Sequence, residues 1–550
     1  MNNLIVVLCL TMVLIPTPGS AEHQHNVPPI NGTSVPPLFR GLSTWSHKVT
    51  TSSPQAQQYF DQGLRFIYGF NHDEATRSFT EAARLDPNCA MAYWGIAFTL
   101  GPNYNLPTDP ERAKAAYAAT QKAVALAPQV SEKERAYIEA ITKRYVADPQ
   151  ADRKALDLAF ADAMREVAKR YPDDLDAATL FAESMMNLRP WDLWTADGSP
   201  QPGTKEIVAT LESVLKRNPD HLGAAHYYIH AVEASRQPER AERYADRLGK
   251  VAPGAGHLVH MPSHIYMRIG RYKDANVSNA RAAKVDEDYL ETYNIQGVYR
   301  IMYYPHNVHF QWAAATMEGR SKDALQAARK LVAQTSIEFI KQMPMVEFVP
   351  PTLLLGLARF GRWEEVLRQP SPPEELQYTT ALWHYARGLA FAATGNTKDA
   401  MIKHAKVTEI AAAMPADRLI GQNSAAVLLK IAARTLAGEI AAQREEYDGA
   451  IRALGEAVQL QDALKYEEPP PWYFPVRHSL GAVLLEANRA AEAENVYRED
   501  LQHNPENGWA LYGLAQSLRA QKKTKEAMAV EKRFRKAWAR ADVKLRASRF

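Results

Sequence analysis

The chain of 550 residues contains only 2 cysteines, Cys9 and Cys89. That scarcity excludes a disulfide scaffold, an array of zinc ribbons and an iron–sulfur protein, each of which needs several thiols. Net charge is nearly absent too. With 65 Lys and Arg against 62 Asp and Glu the balance is +3, so no global basicity recruits nucleic acid. The apolar run Leu4–Ile15 is too short to span a bilayer, and no later segment is apolar enough to do so. The sequence has no G-x-x-x-x-G-K-[ST], no G-x-G-x-x-G before a helix and no G-x-S-x-G. Nucleotide binding and serine hydrolysis therefore have no support.

What is present is the composition of a folded soluble protein, 46% hydrophobic and 23% charged. The apolar run near the start is followed by Pro16, Pro18, Gly19, Ser20 and Ala21. Small residues at Gly19 and Ala21 suit cleavage after Ala21, although the opening Met-Asn-Asn lacks the usual basic residue. Residues 1–21 therefore read as a signal peptide and the protein as secreted or periplasmic. Cleavage would remove Cys9 and leave Cys89 without a disulfide partner. Cys89 is expected to pack as a small buried hydrophobe. Residues 22–55, rich in Pro, Ser, Thr and His, read as a flexible lead-in. From Arg519 to Phe550 there are 12 basic and 3 acidic residues, a local +9 that leaves −6 for the remainder. The charge reads as the solvated face of a terminal helix, followed by a basic C-terminal tail over 542–550.

Internal periodicity sets the fold between these ends. From Ala56, small, aromatic and helix-stopping residues recur as Gly63, Phe66, Ala75, Phe79, Ala82 and Pro87. Small residues let paired helices approach, aromatics fill the space between them, and the proline ends the second helix. Later units carry Ala116, Ala123 and Pro128; Ala241 and Pro253; Gly270, Ala275 and Ala282; Gly319, Ala324 and Ala328; Gly388 and Ala400; Gly438 and Ala450; Gly481, Ala493, Tyr497 and Pro505; then Trp509, Gly513 and Ala527. The pattern resembles the tetratricopeptide repeat superfamily. The resemblance implies an all-α superhelical solenoid of about twelve helix pairs over residues 56–541, degenerate between about 131 and 220 and again near 340–375. Two insertions interrupt it, Asn187–Gly203 and the tyrosine-rich Asp288–Tyr304. The tyrosines of the second read as packing. In repeat arrays insertions gather on one face, often the binding face.

The family's concave groove is lined by fixed positions of each first helix. In that frame His226, His230 and Glu233 fall on groove positions of one unit, His257, His260 and His264 on the next, and His306 and His309 on the one after. His226/His230 and His260/His264 are spaced i, i+4, and His306/His309 i, i+3, so each pair shares a helix face. Two imidazoles so placed can grip one metal ion, and neighbouring first helices are close enough to share it. Pro262 argues that a helix begins there, with His257 and His260 on the incoming chain; Pro305 similarly reads as a helix start. The surplus of ligands, with Glu183 a further candidate, suggests two ions, or one ion with supporting partners and a base. Thiol-free imidazole ligation suits copper or zinc, with copper preferred for an exported site.

These residues point to a metal-dependent oxidase or hydrolase that activates water or oxygen, with Glu233 as ligand or general base. Arg189, Trp191, Trp194 and His478 are the candidates for holding a small-molecule or peptide ligand in the groove. His72 reads as a helix-start residue. The sequences H-M-P-S-H and P-H-N-V-H-F resemble a block found in exported bacterial repeat proteins, which carries no activity with it. The alternative is a non-catalytic scaffold that holds an extended peptide or protein partner in the groove, or a metal buffer without turnover.

Overall fold

A computed structural model of the chain describes residues 35–148 and 150–550. The signal peptide expected at 1–21 and the first part of the lead-in lie outside the described residues. Helix α1 (Pro54–Tyr68) packs with α2 (His72–Leu85), α3 (Ala90–Leu100) with α4 (Pro110–Leu126), α5 (Glu132–Ile141) with α6 (Arg153–Arg170), α7 (Leu175–Met186) with α8 (Thr204–Arg217), and α9 (Leu222–Val232) with α10 (Glu242–Val251). The next first helix is broken into α11 (Gly256–His260) and α12 (Pro262–Arg268), which share α13 (Tyr272–Thr292). Then α14 (Tyr304–Glu318) pairs with α15 (Ser321–Ala333) and, after the short α16 (Ile337–Gln342), α17 (Thr352–Arg359) with α18 (Trp363–Arg368). The last pairs are α19 (Gln377–Ala393) with α20 (Thr397–Ala413), α21 (Ala425–Gln443) with α22 (Tyr447–Asp462), α23 (Arg477–Glu486) with α24 (Ala490–His503), and α25 (Gly508–Ala520) with α26 (Thr524–Ala537). A two-residue hairpin, β1 (Leu419–Ile420) and β2 (Asn423–Ser424), precedes α21. The twelve pairs form an all-α solenoid of the kind the repeat implies.

The glycines of the repeat explain the stacking. A Cβ on Gly63 would lie 2.7 Å from the Phe79 ring and one on Gly95 2.5 Å from it, so Phe79 is wedged between α1 and α3. Tyr497 stands in the same relation to Gly481 and Gly513, with 2.4 and 2.1 Å. Where the repeat degenerates, local caps mark the helices instead. Ser131 and Glu134 form a capping box at α5, and Asp152 and Asp174 cap α6 and α7.

The superhelix is wound tightly enough for distant turns to touch. Helix α1 packs on α9, and α14 on α25. Trp509 Nε1 donates to the Thr316 carbonyl at 3.1 Å, and Asn71 Nδ2 to Tyr289 Oη at 3.1 Å. Groove positions such as those of His226, His230, His260 and His264 are therefore buried.

Both ends depart from expectation. The lead-in was expected to be flexible through residue 55, but residues 35–53 are pinned to the solenoid. The Phe39 amide donates to Gln62, Trp45 Nε1 to Asp176, and the Thr50 amide and hydroxyl to Glu134. The expected tail over 542–550 is a strap. Asp542 caps the start of α15 through the Ser321 and Lys322 amides. Ser548 donates to the His478 carbonyl, and Arg549 is ion-paired with Glu439 and Glu486. Composition alone missed both because polar residues there bond specific buried partners.

Candidate metal centre

Three successive first helices carry the histidines. In α9 the i, i+4 spacing points His226 and His230 the same way. In the next unit the chain breaks at Met261, which ends α11 and begins α12, because Pro262 has no N–H to continue the ladder. His257 and His260 thus sit on a short helix of their own, where an incoming non-helical stretch was expected. Helix α14 begins at Tyr304 with Pro305 in its first turn, and presents His306.

The rings gather into two neighbouring triads. Nitrogens of His226, His230 and His257 lie within 4.8 Å of one another, and so do those of His260, His264 and His306. All are buried except the half-buried His306. Stacked His257 and His260 rings, 5.5 Å apart, join the triads. Phe70 packs on all three rings of the first triad, closest to His226 at 4.4 Å. Phe310 does the same for the second, closest to His264 at 4.5 Å. Tyr303 and Trp191 add edge contacts to His257 and His230.

Hydrogen bonds fix which nitrogen faces inward. His226 Nδ1–H donates to the Tyr68 carbonyl at 2.6 Å, and His230 Nδ1–H to Glu233 Oε1 at 2.9 Å. His264 Nδ1–H donates to Glu233 Oε2. His260 Nδ1–H donates to Asn279 Oδ1 at 2.6 Å, the amide nitrogen of Asn279 being spent on the Ala275 carbonyl. Four Nε2 atoms are therefore left as bare lone pairs. Those of His226 and His230 have no hydrogen-bond partner, nor does either nitrogen of His257. Those of His260 and His264 face each other at 2.8 Å, lone pair to lone pair. Such facing acceptors are stable only with a cation or proton between them.

Electrostatics agree. Burial, reinforced by the neighbouring imidazoles, pushes His226, His257, His260 and His306 well below the usual histidine value. Burial also lowers His264, although Glu233 opposes it. Burial would raise Glu233, but His264 and His230 outweigh it and hold the carboxyl at about 2. The centre thus gathers imidazoles, four of them held well toward the neutral form by burial, around one buried carboxylate. This donor set can hold a metal ion, and a cation there would offset the carboxylate's charge. Glu233 spends both oxygens on orienting two histidines, one in each triad, the arrangement that raises the basicity of ligating imidazoles.

Other expected site residues are placed differently. His309 stands outside both triads, its ring stacked between Trp312 and Phe348 at 5.3 and 5.0 Å, because one residue of drift around α14 turns it from His306 toward the next unit. His478 has no nitrogen left for a ligand: Arg359 donates to Nδ1 at 2.8 Å and Nε2 meets Asp500 at 3.0 Å. Arg189 is held in a part-exposed ion pair with Asp192, and Trp194 donates to the Ala231 carbonyl. Of that insertion Trp191 alone touches a triad ring, stacked on Tyr104 and edge-on to His230. Glu183 bonds Asn187, and burial raises its carboxyl to about 7. His72 opens α2 as expected, buried, with burial lowering it to about 3. Cys89 is a buried free thiol, raised by burial to about 11.

The sequence reading missed one whole element of the site. The connection between α22 and α23 carries K-Y-E-E-P-P-P-W-Y-F-P over 465–475 and reaches first helices of earlier units, α12, α17 and α19. Arg268 lies over the Tyr466 ring at 5.5 Å, Tyr473 meets Tyr385 hydroxyl to hydroxyl at 3.0 Å, and Glu467 accepts from Gln422 and Asn423. Its signal was there to be read: three prolines beside three aromatics, in a place where repeats of this kind usually have a short turn.

Among the described residues no helix is long and apolar enough to cross a membrane. No curated protein matches the chain in sequence. Solved structures similar to it include the APC/C hetero-tetramer Cut9–Hcn1, 13% identical, covering 88% of this chain and 76% of that one with a TM-score of 0.31. A human IFIT1 dimer with m7Gppp-AAAA is 12% identical, covering 89% and 92% with a TM-score of 0.33. Yeast Tom70 is 10% identical, covering 88% and 91% with a TM-score of 0.27. The family model described as tetratricopeptide repeat matches residues 484–533. That match falls in α23–α26, and the rest of the chain shares with it the architecture of stacked helix pairs.

Proposed function

We propose that this solenoid carries a buried two-ion transition-metal centre, copper or zinc, one ion on His226, His230 and His257 and one on His260, His264 and His306. The observation that carries the reading is the set of inward Nε2 lone pairs whose opposite nitrogens are tied to Tyr68, Glu233 and Asn279. Three imidazoles per ion leave a coordination position open, the hallmark of a catalytic site over a structural one. Such an ion supplies Lewis acidity or redox capacity toward water or oxygen. In this reading Glu233 holds His230 and His264 in register, and Phe70 and Phe310 keep bulk water from the rings. In this reading export, expected from residues 1–21, fits a thiol-free copper site.

Elemental analysis of protein prepared without a polyhistidine tag tests the reading. Two ions per chain are expected, with His230→Ala and His264→Ala each losing one. Absence of metal, or metal unchanged in both variants, overturns it. The second reading, a scaffold for an extended peptide, is disfavoured by one observation: first helices α12 and α19 are already engaged by the chain's own 465–475 segment.

A further inference from the structure

Two chambers flank the 465–475 segment. The larger, about 270 Å³, is walled by Trp312, Trp472, Tyr473 and Phe474. The smaller, about 90 Å³, has His306 in its wall and shares Trp312, Trp472 and Glu468 with the larger. A cavity of about 150 Å³ accommodates a benzene ring, so the larger chamber has room for one aromatic ring and its substituent.

Glu468 lies at the join. It is 8% exposed, and its Oε1 accepts from the Tyr466 hydroxyl at 2.5 Å. Its Oε2 has no hydrogen-bond partner. A buried carboxyl oxygen left unpaired is costly, so this atom marks where a polar group belongs. The wall is balanced in charge. Arg268 donates only to the carbonyls of Glu233 and Ser235 and sits close enough to act on Glu468, while Arg477 is taken by Asp462 and Glu499. Burial raises Glu468 to about 8, so the group is mostly uncharged at neutral pH. Lys465 also stands in the wall, beside the carboxylates of Asp462, Glu467 and Asp500, so neither sign of charge prevails around Glu468. A hydroxyl, donor and acceptor at once, satisfies Oε2 whether or not that oxygen carries the proton.

We propose that these chambers bind a neutral single-ring aromatic alcohol of the phenol class, its ring against Trp312 and Trp472 and its hydroxyl on Glu468 Oε2. The pocket stands on its own lining; that its occupant is what the metal centre acts on rests on the reading above, through the smaller chamber, whose wall includes His306.

The test is a fluorine-NMR titration of the full chain, its metal content measured, with 4-fluorophenol, 4-fluorotoluene and 4-fluorobenzoate. Saturable binding of 4-fluorophenol at one per chain is expected, about tenfold tighter than 4-fluorotoluene, which lacks the hydroxyl. Glu468→Leu is expected to bind the two alike. Should that variant fail to fold, the preference of the unaltered chain decides. No saturable binding of the phenol, equal affinity for the toluene, or tighter binding of the benzoate overturns the proposal. Preference for the phenol in a chain that carries no metal supports the pocket while the metal reading fails, so the two are separable.

Discussion

Glu233 holds one histidine of each triad, so neutralising it is expected to be felt at both ion positions together. Glu233→Gln keeps the shape but loosens both Nδ1–H bonds, and metal binding is expected to weaken by about 10–100-fold at each position in a chelator competition titration. Asn279→Ala, which touches His260 alone, is expected to weaken only the second. A different carboxylate, Asp176, ties the N-terminal segment down, accepting from Tyr68, Trp45 and His47. Its partners depress it despite the opposing effect of burial, and Asp176 in turn lifts His47 above 6.5 against burial. A raised histidine stabilises fully below its unfolded value and loses that contribution as pH rises through the folded one; the depressed aspartate contributes above its unfolded value and loses it in acid. The urea midpoint is therefore expected to fall as pH rises from about 6.5 through the folded value of His47. His47→Gln is expected to flatten that fall. At this scale six of the seven clustered histidines were legible, because groove positions of three successive first helices converge even where Met261 breaks the helix between His260 and His264. His309 and His478 were not, since their rotation and partners depend on Phe348 and Arg359 from other units and on Asp500 from the paired helix α24. Phe70, Tyr68 and Asn279 left no trace in any spacing, because the first two reach the cluster from a distant part of the chain and Asn279 from the paired helix α13.

Among the elements, the wedge of one ring between two glycines is the unit of stacking. Removing the Phe79 ring leaves a void against both Gly63 and Gly95, and Phe79→Ala is expected to cost about 3–5 kcal/mol in equilibrium unfolding. Gly513→Ala offers the complementary error, forcing a methyl into the Tyr497 ring. Helix pairs whose glycines and alanines meet rings were readable from the sequence. Those from α5 to α8 were not, since their packing uses larger residues such as Phe160, Met164 and Leu211 that carry no positional signature. The break at Met261 was half readable: Pro262 announced a helix start, but only the packing of α11 on α13 makes Gly256–His260 a helix.

The molecule as a whole is closed by its ends. Arg549 is joined to Glu439 of α21 and Glu486 of α23, so the last residues staple successive units. Arg549→Ala strands Glu439 without its partner and is expected to cost about 2–3 kcal/mol, less than a fully buried pair because Glu486 is partly exposed. Hydrogen exchange should then rise in α21 and α23 while metal content stays at the unaltered value. The winding that lets α1 touch α9 and α14 touch α25 also encloses both triads. An ion on the first triad, whose three histidines are all buried and packed against Phe70, is expected to leave only when hairpins part. Residence time then follows the opening rate of the coil, and a chelator, however strong, is expected to strip the folded protein on a clock set by protein breathing that added chelator does not speed.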